Sequence, residues 1–129
     1  MVSSLSMDGR RLEVALVDVS GKGREAGTRA LLLSGGLGGL IGSLPPADFL
    51  PAANAYLIRQ RWAEGFATVA HLAVDLTSGE FSVGTAGHPA PAQFRAGSGS
   101  WRLVAPGGGP LLGVMAGVSF RTTGGPRPR

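Results

Sequence analysis

The amino-acid sequence predicts an α+β fold in which two helices pack on an antiparallel sheet. Three observations predict it: an alternating segment comes first, two stretches with helical spacing follow, and alternating segments separated by turn residues complete the chain. The 129 residues, 43% hydrophobic and 16% charged, are enough for one compact domain. We therefore predict a single domain over residues 1–120, with the helices layered over the sheet.

The first predicted strand follows a turn at Met7-Asp8-Gly9-Arg10, since Asp-Gly supplies the positive-φ position of a tight hairpin. Residues 12–17 alternate along the strand, which runs into Asp18-Val19-Ser20-Gly21-Lys22-Gly23. An extended segment therefore delivers Asp18 to its own C-terminal end, just before a glycine turn.

Two helices are predicted next. From about Arg24 to Ile41 the composition turns to Ala, Leu and Gly, with leucines near helical spacing, although each of the five glycines costs about 1 kcal/mol against alanine. Pro45 and Pro46 then interrupt the pattern, and a second helix extends to about Trp62, because proline is tolerated in a first turn.

The rest of the domain is predicted to be antiparallel. Phe66 to Val74 is rich in β-formers, residues 75–79 form a turn, and Glu80 to Thr85 is a second alternating run. A further hairpin joins Ala92–Arg95 to residues 101–104 through a Gly-Ser turn. The tail, residues 121–129, has no apolar side chain, and we expect it to be disordered.

Composition excludes several classes of function. The absence of cysteine excludes disulfides, thiol nucleophiles and Cys-based zinc sites, so any metal must be held by oxygen or by His71 and His88. Three arginines in the last nine residues supply most of the net charge of +4, and no aromatic stacking platform accompanies them, so we predict no nucleic-acid partner. The most apolar stretch, residues 30–44, is too short for a bilayer, which predicts no membrane association and a cytoplasmic protein.

The Gly-rich segment after the first strand invites two interpretations. A Walker A phosphate loop requires a glycine where Leu16 stands and a Ser or Thr where Gly23 stands, so that interpretation fails. The other is that the Asp18 carboxylate is a hard-oxygen ligand for Mg²⁺ or Mn²⁺, with the backbone carbonyl of Val19 turned toward the same ion. A lone aspartate at a strand end is more often a turn or cap residue, and the choice stays open on this segment alone.

Several short motifs together resemble one family. Asp18 to Gly23 precedes a long helix, Asn54 lies on the second helix, and Phe66-Ala67-Thr68 begins a strand. Asp75 to Gly79, Ala86-Gly87-His88-Pro89 and residues 108–114 follow in order. This set resembles the SpoIIE-like branch of the PPM (type 2C) metal-dependent Ser/Thr protein phosphatases, and it spans residues 8–114, with Thr85 where the family has Asn.

The resemblance implies an αββα sandwich, of which this chain holds a part, and phosphoserine hydrolysis by paired Mn²⁺ or Mg²⁺ ions. It implies a phosphoserine or phosphothreonine protein as substrate, such as an anti-sigma factor antagonist. Asp18 and Val19 match the metal-binding positions, and no residue is assigned as catalytic. His88 is expected to be a structural hydrogen-bonding residue rather than a general acid, and His71 a packed or edge-facing side chain.

The family's other metal-binding aspartates have no counterpart here: one would precede Met1, another falls at Val2, and the rest would follow Val114. Two divalent ions need several anionic ligands, so we expect weak metal binding, little or no activity, and exposed strand edges. Two hypotheses follow: a fragment of an active phosphatase, truncated at both ends, or a non-catalytic phosphatase-like module that binds a regulatory protein.

Overall fold

The computed structural model describes residues 2–7, 10–19, 23–61, 66–89, 92–103 and 109–125. Seven strands and two helices lie in these ranges. In chain order they are β1 (Val2–Met7), β2 (Arg11–Val19), α1 (Gly23–Leu40), α2 (Pro46–Gln60), β3 (Ala67–Asp75), β4 (Phe81–Ala86), β5 (Ala92–Arg95), β6 (Ser100–Leu103) and β7 (Arg121–Gly125).

The central sheet has five strands in the order β1-β2-β3-β4-β7, and every neighbouring pair is antiparallel. β5 and β6 form a separate two-stranded sheet. Two helices on an antiparallel sheet are the α+β arrangement that the sequence predicts, and this prediction is confirmed. Within the described residues, β1 and β7 are the two edges of the central sheet.

Each helix buries one apolar stripe. α1 contributes Leu33 and Leu37, both fully buried, and α2 contributes Phe49, Ala53 and Leu57. Pro46 stands in the first turn of α2, where its missing N–H costs no helical hydrogen bond, and the helix stops at Arg61 in the left-handed conformation, with φ 52°. Among the described residues, neither helix is long and apolar enough to span a membrane.

The core lies between the helices and one face of the sheet. Alternation along β2 and β3 sends Ala15 and Val17, and Ala67 and Val69, to this helix-covered face, where all four are fully buried. The opposite face is here called the outer face. It carries apolar residues too, and Leu16 on this face is 40% exposed.

The C-terminal segment corrects one prediction. Residues 121–129 were expected to be disordered, yet Arg121–Gly125 pairs with β4 in register, from Thr85↔Arg121 to Phe81↔Gly125. A strand at a sheet edge is held by backbone hydrogen bonds, so it needs no apolar side chains to form. Composition alone therefore misled the prediction for these five residues, and residues 126–129 lie outside the described part.

The other predicted boundaries agree with the structure to within about two residues, as is usual for element ends. The turn residues Asp8 and Gly9 and the predicted helix end at Trp62 lie outside the described residues. β1 has no counterpart among the sequence predictions. It pairs with the whole length of β2 from Val2↔Val17 to Met7↔Leu12.

Candidate functional site at one end of the sheet

Asp18 stands one residue before the end of β2, on the outer face, and its side chain is exposed. Because side chains alternate along a strand, Val19 points to the other face and packs, partly buried, against the core. In register, Asp18 faces Thr68 and Val19 faces Ala67 on β3. The strand thus presents a carboxylate to solvent at one end of the sheet, as the sequence predicts; the metal-binding role of the two residues stays a prediction.

Thr68 links this strand end to the turn that follows β4. Its Oγ1 lies 3.4 Å from Nδ1 of His88, and both residues are half-buried. Which atom donates depends on the tautomer of the imidazole. A threonine beside Asp18 on the outer face therefore holds the His88 ring, and sequence reasoning did not foresee this contact.

The turn before His88 requires glycine. Gly87 has φ 64°, which L side chains rarely adopt, and a Cβ at this position would lie 2.5 Å from Cδ2 of Leu111. The Leu111 side chain fills the space that the missing side chain leaves. The Ala86-Gly87-His88-Pro89 turn and the loop that contains Leu111 are consequently packed against each other.

That loop is fixed at two further points. The backbone N–H and C=O of Leu112 pair with the C=O and N–H of Ala67, at 2.9 and 3.0 Å. From α2, the buried Asn54 accepts a hydrogen bond at Oδ1 from the N–H of Gly113 (2.7 Å) and donates from Nδ2 to the C=O of Met115 (2.9 Å). The acceptor and the donor of this one amide side chain both bond to the same loop. This explains why an asparagine stands on a helix face that is otherwise apolar.

Four segments that are far apart in the sequence therefore meet at one end of the sheet: the end of β2, the start of β3, the turn after β4, and the loop at residues 111–115. These segments carry most of the motifs found in the sequence, whereas the Asp75–Gly79 motif lies at the opposite end of the sheet. The order of the motifs does not explain why an asparagine stands at position 54. The structure does, because the Asn54 side chain anchors the loop next to the start of β3.

Two further aspartates lie away from this end of the sheet. Asp75 ends β3 at the opposite end of the sheet, about 23 Å away at the rise of an extended strand. Its Oδ1 accepts hydrogen bonds from the N–H groups of Thr77 and Ser78, which lower the pKa of the Asp75 carboxyl. Asp48 is exposed in the first turn of α2. Both are turn or helix-start residues, as the sequence predicts.

The number and type of possible metal ligands decide whether these residues fit a pair of divalent ions. Among the described residues, no group of three or more His, Cys, Asp or Glu side chains could hold a metal ion. Asp18 supplies a hard-oxygen ligand of the kind that Mg²⁺ and Mn²⁺ prefer, but a single carboxylate does not neutralise two adjacent dications. The described residues alone therefore do not fit a two-metal centre.

A second acidic residue of β2 is used differently. Glu13 and His71 are both buried on the helix-covered face, 1% and 3% exposed, and Glu13 Oε1 lies 3.1 Å from His71 Nε2. The prediction of a packed His71 agrees with this position. Burial lowers the pKa of the His71 imidazole, and the Glu13 carboxylate opposes the shift. Period-two alternation puts Glu13 on the same face as Ala15 and Val17, but the sequence alone does not show that this is the face that the helices cover.

An apolar cleft lined by described residues lies on the outer face. Its volume is about 370 Å³, and it opens between the central sheet and β5. The lining is almost wholly hydrocarbon and includes Leu16, Leu72, Phe81 and Ala92. Such a surface offers neither charge nor hydrogen bonds to a phosphate, so the polar chemistry of this molecule belongs to the Asp18 end of the sheet and not to the cleft.

Comparison with known proteins gives consistent results. The family model described as Stage II sporulation protein E (SpoIIE) matches residues 8–126. Among solved structures, the RsbU and RsbW domains of a Mycobacterium tuberculosis protein are 29% identical to this chain, with a TM-score of 0.77 over 97% of this chain and 36% of that one. A comparison with curated protein sequences finds no match.

Two more distant structures share the fold. RsbX, solved in complex with magnesium, is 18% identical with a TM-score of 0.72, over 97% of this chain and 59% of its own. The PP2C phosphatase domain of SpoIIE from Bacillus subtilis, solved with a fragment of its regulatory domain, is 15% identical with a TM-score of 0.72, over 96% of this chain and 36% of its own. This chain thus spans between about one third and three fifths of these solved chains.

Proposed function

Because the chain belongs to the SpoIIE family and has the fold of PP2C-type phosphatases, we propose that it carries the Asp18 portion of a Mn²⁺- or Mg²⁺-dependent phosphatase for phosphoserine or phosphothreonine in a regulatory protein. An anti-sigma factor antagonist is the class of substrate that we propose. The 129-residue polypeptide by itself hydrolyses phosphate esters slowly or not at all.

The observation that carries this proposal is the meeting of four motif segments around the exposed Asp18. The Thr68–His88 contact, the Ala67–Leu112 bridge and the Asn54 hydrogen bonds fix these segments at the same end of the sheet. An exposed carboxylate on a rigid strand end, with its neighbours fixed by long-range contacts, suits a cation that must be held in place. We assign Asp18 and the Val19 carbonyl to that cation.

Low activity follows from the electrostatics of the described residues. Hydrolysis by paired metal ions needs several anionic ligands, which neutralise the ions and leave positions open for water and phosphate. Asp18 is the carboxylate that we assign to this end of the sheet, and no group of three or more metal-binding side chains forms among the described residues. With one such ligand, we expect Mn²⁺ to bind weakly and the attacking water to lack a second cation.

Paramagnetic broadening tests the metal site directly. Mn²⁺ added to the isotope-labelled chain should broaden the backbone amide signals of Val19, Thr68 and His88 more than those of the opposite sheet end. Asp18→Ala should remove this broadening, while Asp48→Ala, which alters an exposed aspartate on α2, should leave it intact. Equal broadening in the Asp18→Ala protein would show that the metal assignment is wrong.

Hydrolysis of p-nitrophenyl phosphate or a phosphopeptide in the presence of Mn²⁺ tests the activity. We expect a rate close to the uncatalysed background for the purified chain and for Asp18→Ala. A robust Mn²⁺-dependent rate that Asp18→Ala abolishes would keep the phosphatase assignment and overturn the expected low activity.

A second candidate function is a non-catalytic module that binds a regulatory protein. The β5–β6 hairpin favours it, because the Phe94 and Trp101 rings contact each other in a tilted arrangement, with centroids 5.1 Å apart, and are 49% and 68% exposed. Leu103, on the same hairpin, is 71% exposed. Exposed aromatic residues of this kind dominate many protein interfaces.

Capture of a phosphorylated anti-sigma factor antagonist should weaken at least tenfold in Trp101→Ala and persist in Arg95→Ala, which alters the polar face of the hairpin. Equal capture by both variants would remove this candidate.

A further inference from the structure

A buried acid–base pair lies under α2, away from the Asp18 end of the sheet. Glu13 of β2 and His71 of β3 are in contact at 3.1 Å, and each is at least 97% buried. Burying two ionisable side chains costs several kcal/mol for each charge, so a protein keeps such a pair only where its partners compensate. The compensation here is incomplete. Among the described residues no hydrogen bond reaches Glu13 Oε2, although Nη2 of Arg11 lies 3.3 Å from it as an ion-pair contact.

The pair is connected to α2 by an aromatic contact. The His71 ring stacks on Phe49, with ring centroids 4.5 Å apart and an angle of 24° between the planes. Phe49 is 1% exposed and lies on the same helix as Asn54, which anchors the Gly113–Met115 loop. The protonation state of the His71 ring therefore affects how α2 packs on the sheet. Through Asn54, α2 in turn holds that loop.

The charged groups around the pair are few. On β2 it is Arg11, and on β3 Asp75 lies in register with Arg11 at the exposed strand end. α2 adds Asp48, which is exposed, and the positions of β4 that share this face are Ser82 and Gly84. No second carboxylate of these elements contacts the ring. A positive charge on His71 would be balanced by Glu13 alone, which already faces the Arg11 guanidinium.

We propose that Glu13 and His71 form a proton-sensitive lock beneath α2: with a neutral imidazole the ring stacks on Phe49 and bonds to Glu13, and protonation of the ring loosens α2 and, through Asn54, the Gly113–Met115 loop. A cavity of about 50 Å³ adjoins the ring between α2 and β4. It can admit a water molecule to solvate the imidazolium when the helix loosens. This lock is independent of the metal chemistry proposed above.

The direction of the pH effect follows from the shift at His71. Burial lowers the imidazole pKa below its ordinary value of 6.5, so the unfolded chain binds the proton more readily than the folded one. The stabilisation is complete above pH 6.5 and is lost as pH falls from 6.5 through the lower folded-state pKa. Over that window the folding equilibrium constant falls up to about tenfold per pH unit.

NMR titration of the His71 Cε1–H signal in the intact chain measures the lock without any substitution. We expect a midpoint below 6.5. Glu13→Gln keeps an oxygen acceptor but removes the charge that raises the pKa of His71, so the midpoint should move to still lower pH. A His71 midpoint at or above 6.5, or a rise of that midpoint in Glu13→Gln, would overturn the proposal.

Urea unfolding at pH 7.5 and 5.5 tests the consequence for stability. The wild-type chain should lose more stability on acidification than His71→Gln. The matched control is His88→Asn, which alters the other histidine of the chain and should keep the wild-type loss. In hydrogen exchange corrected for intrinsic rates, the amides of Ala53 and Leu57 on α2 should lose protection at pH 5.5 before those of β2. An undiminished loss in His71→Gln, or equal loss of protection in α2 and β2, would count against the lock.

Discussion

The two ends of the central sheet are held by different kinds of contact. At the Asp75 end, the turn is closed by neighbours in sequence: Thr77 and Ser78 donate to the Asp75 carboxylate, and the N–H of Gly79 bonds to the C=O of Asp75. At the Asp18 end, the contacts that fix the described segments join residues that are distant in sequence, such as Asn54 and Gly113. The turn at the first end follows from local chemistry, and one long-range bond, from the N–H of Leu76 to the C=O of Arg10, adds to it. The contacts at the second end exist only once the chain has folded.

This difference predicts where substitutions are most costly. Leu112→Ala should have the largest effect, lowering the free energy of unfolding by about 2–5 kcal/mol, because the side chain is fully buried in the core at the Asp18 end. Leu76→Ala makes the same chemical change in the turn at the other end, where the side chain is 49% exposed, and should cost less than about 1 kcal/mol. Urea unfolding of both variants measures the contrast. Equal costs would show that the two ends are equally well packed.

Gly87→Ala should have the next largest effect, about 1–3 kcal/mol, because the end of the Leu111 side chain must move and the backbone is strained. A Cβ there meets Leu111 at 2.5 Å, and φ of 64° is unfavourable for alanine. Gly99→Ala is the matched control, since its φ is 66° and nothing lies within 4 Å of the added Cβ, so it isolates the backbone cost of about 1 kcal/mol. Thermal unfolding of the two variants separates the clash from the strain. If Gly99→Ala costs as much as Gly87→Ala, the close packing of Leu111 contributes nothing.

Asn54→Ala should lower the free energy of unfolding by about 1–3 kcal/mol, because it leaves the N–H of Gly113 and the C=O of Met115 without their partner. Asn54→Asp keeps the acceptor for Gly113 and loses the donor to Met115, so it should retain part of the stability. Hydrogen exchange at the Gly113 amide reports the same order: fastest in Asn54→Ala, intermediate in Asn54→Asp, slowest in the wild type. An unchanged Gly113 exchange rate in Asn54→Ala would mean that other contacts hold the loop.

The same contrast explains how much of the molecule could be read from the sequence. Alternation and turn residues predict the α+β class, both helices and the 75–79 turn, because these signals are local. The motif segments were found, and Asp18 was placed at a strand end. The contacts that join them, Thr68 with His88 and Asn54 with Gly113, could not be predicted, since nothing in a single sequence records which distant residues meet.

The two misjudged features have physical causes of their own. β7 forms from a segment without apolar side chains because an edge strand draws its stability from backbone hydrogen bonds, which composition does not report. The Glu13–His71 pair was missed because both faces of β2 carry apolar residues, so alternation marks two faces without showing which one the helices cover. The position of α2 shows which face of β2 is covered, and the sequence pattern does not give that position.

Asp75→Ala at the opposite end should have the smallest effect at neutral pH, because the carboxylate is exposed and its hydrogen bonds lie within one turn. The bonds from Thr77 and Ser78 hold the Asp75 pKa below its ordinary 3.8, so the contribution is present above that pH and is lost as pH falls through the lower folded value. The wild-type chain should therefore lose more stability than Asp75→Ala between pH 5 and pH 2, measured by urea unfolding. Parallel losses in the two proteins would show that the turn carboxylate is not coupled to folding, and the local end of the sheet would then be held by its backbone alone.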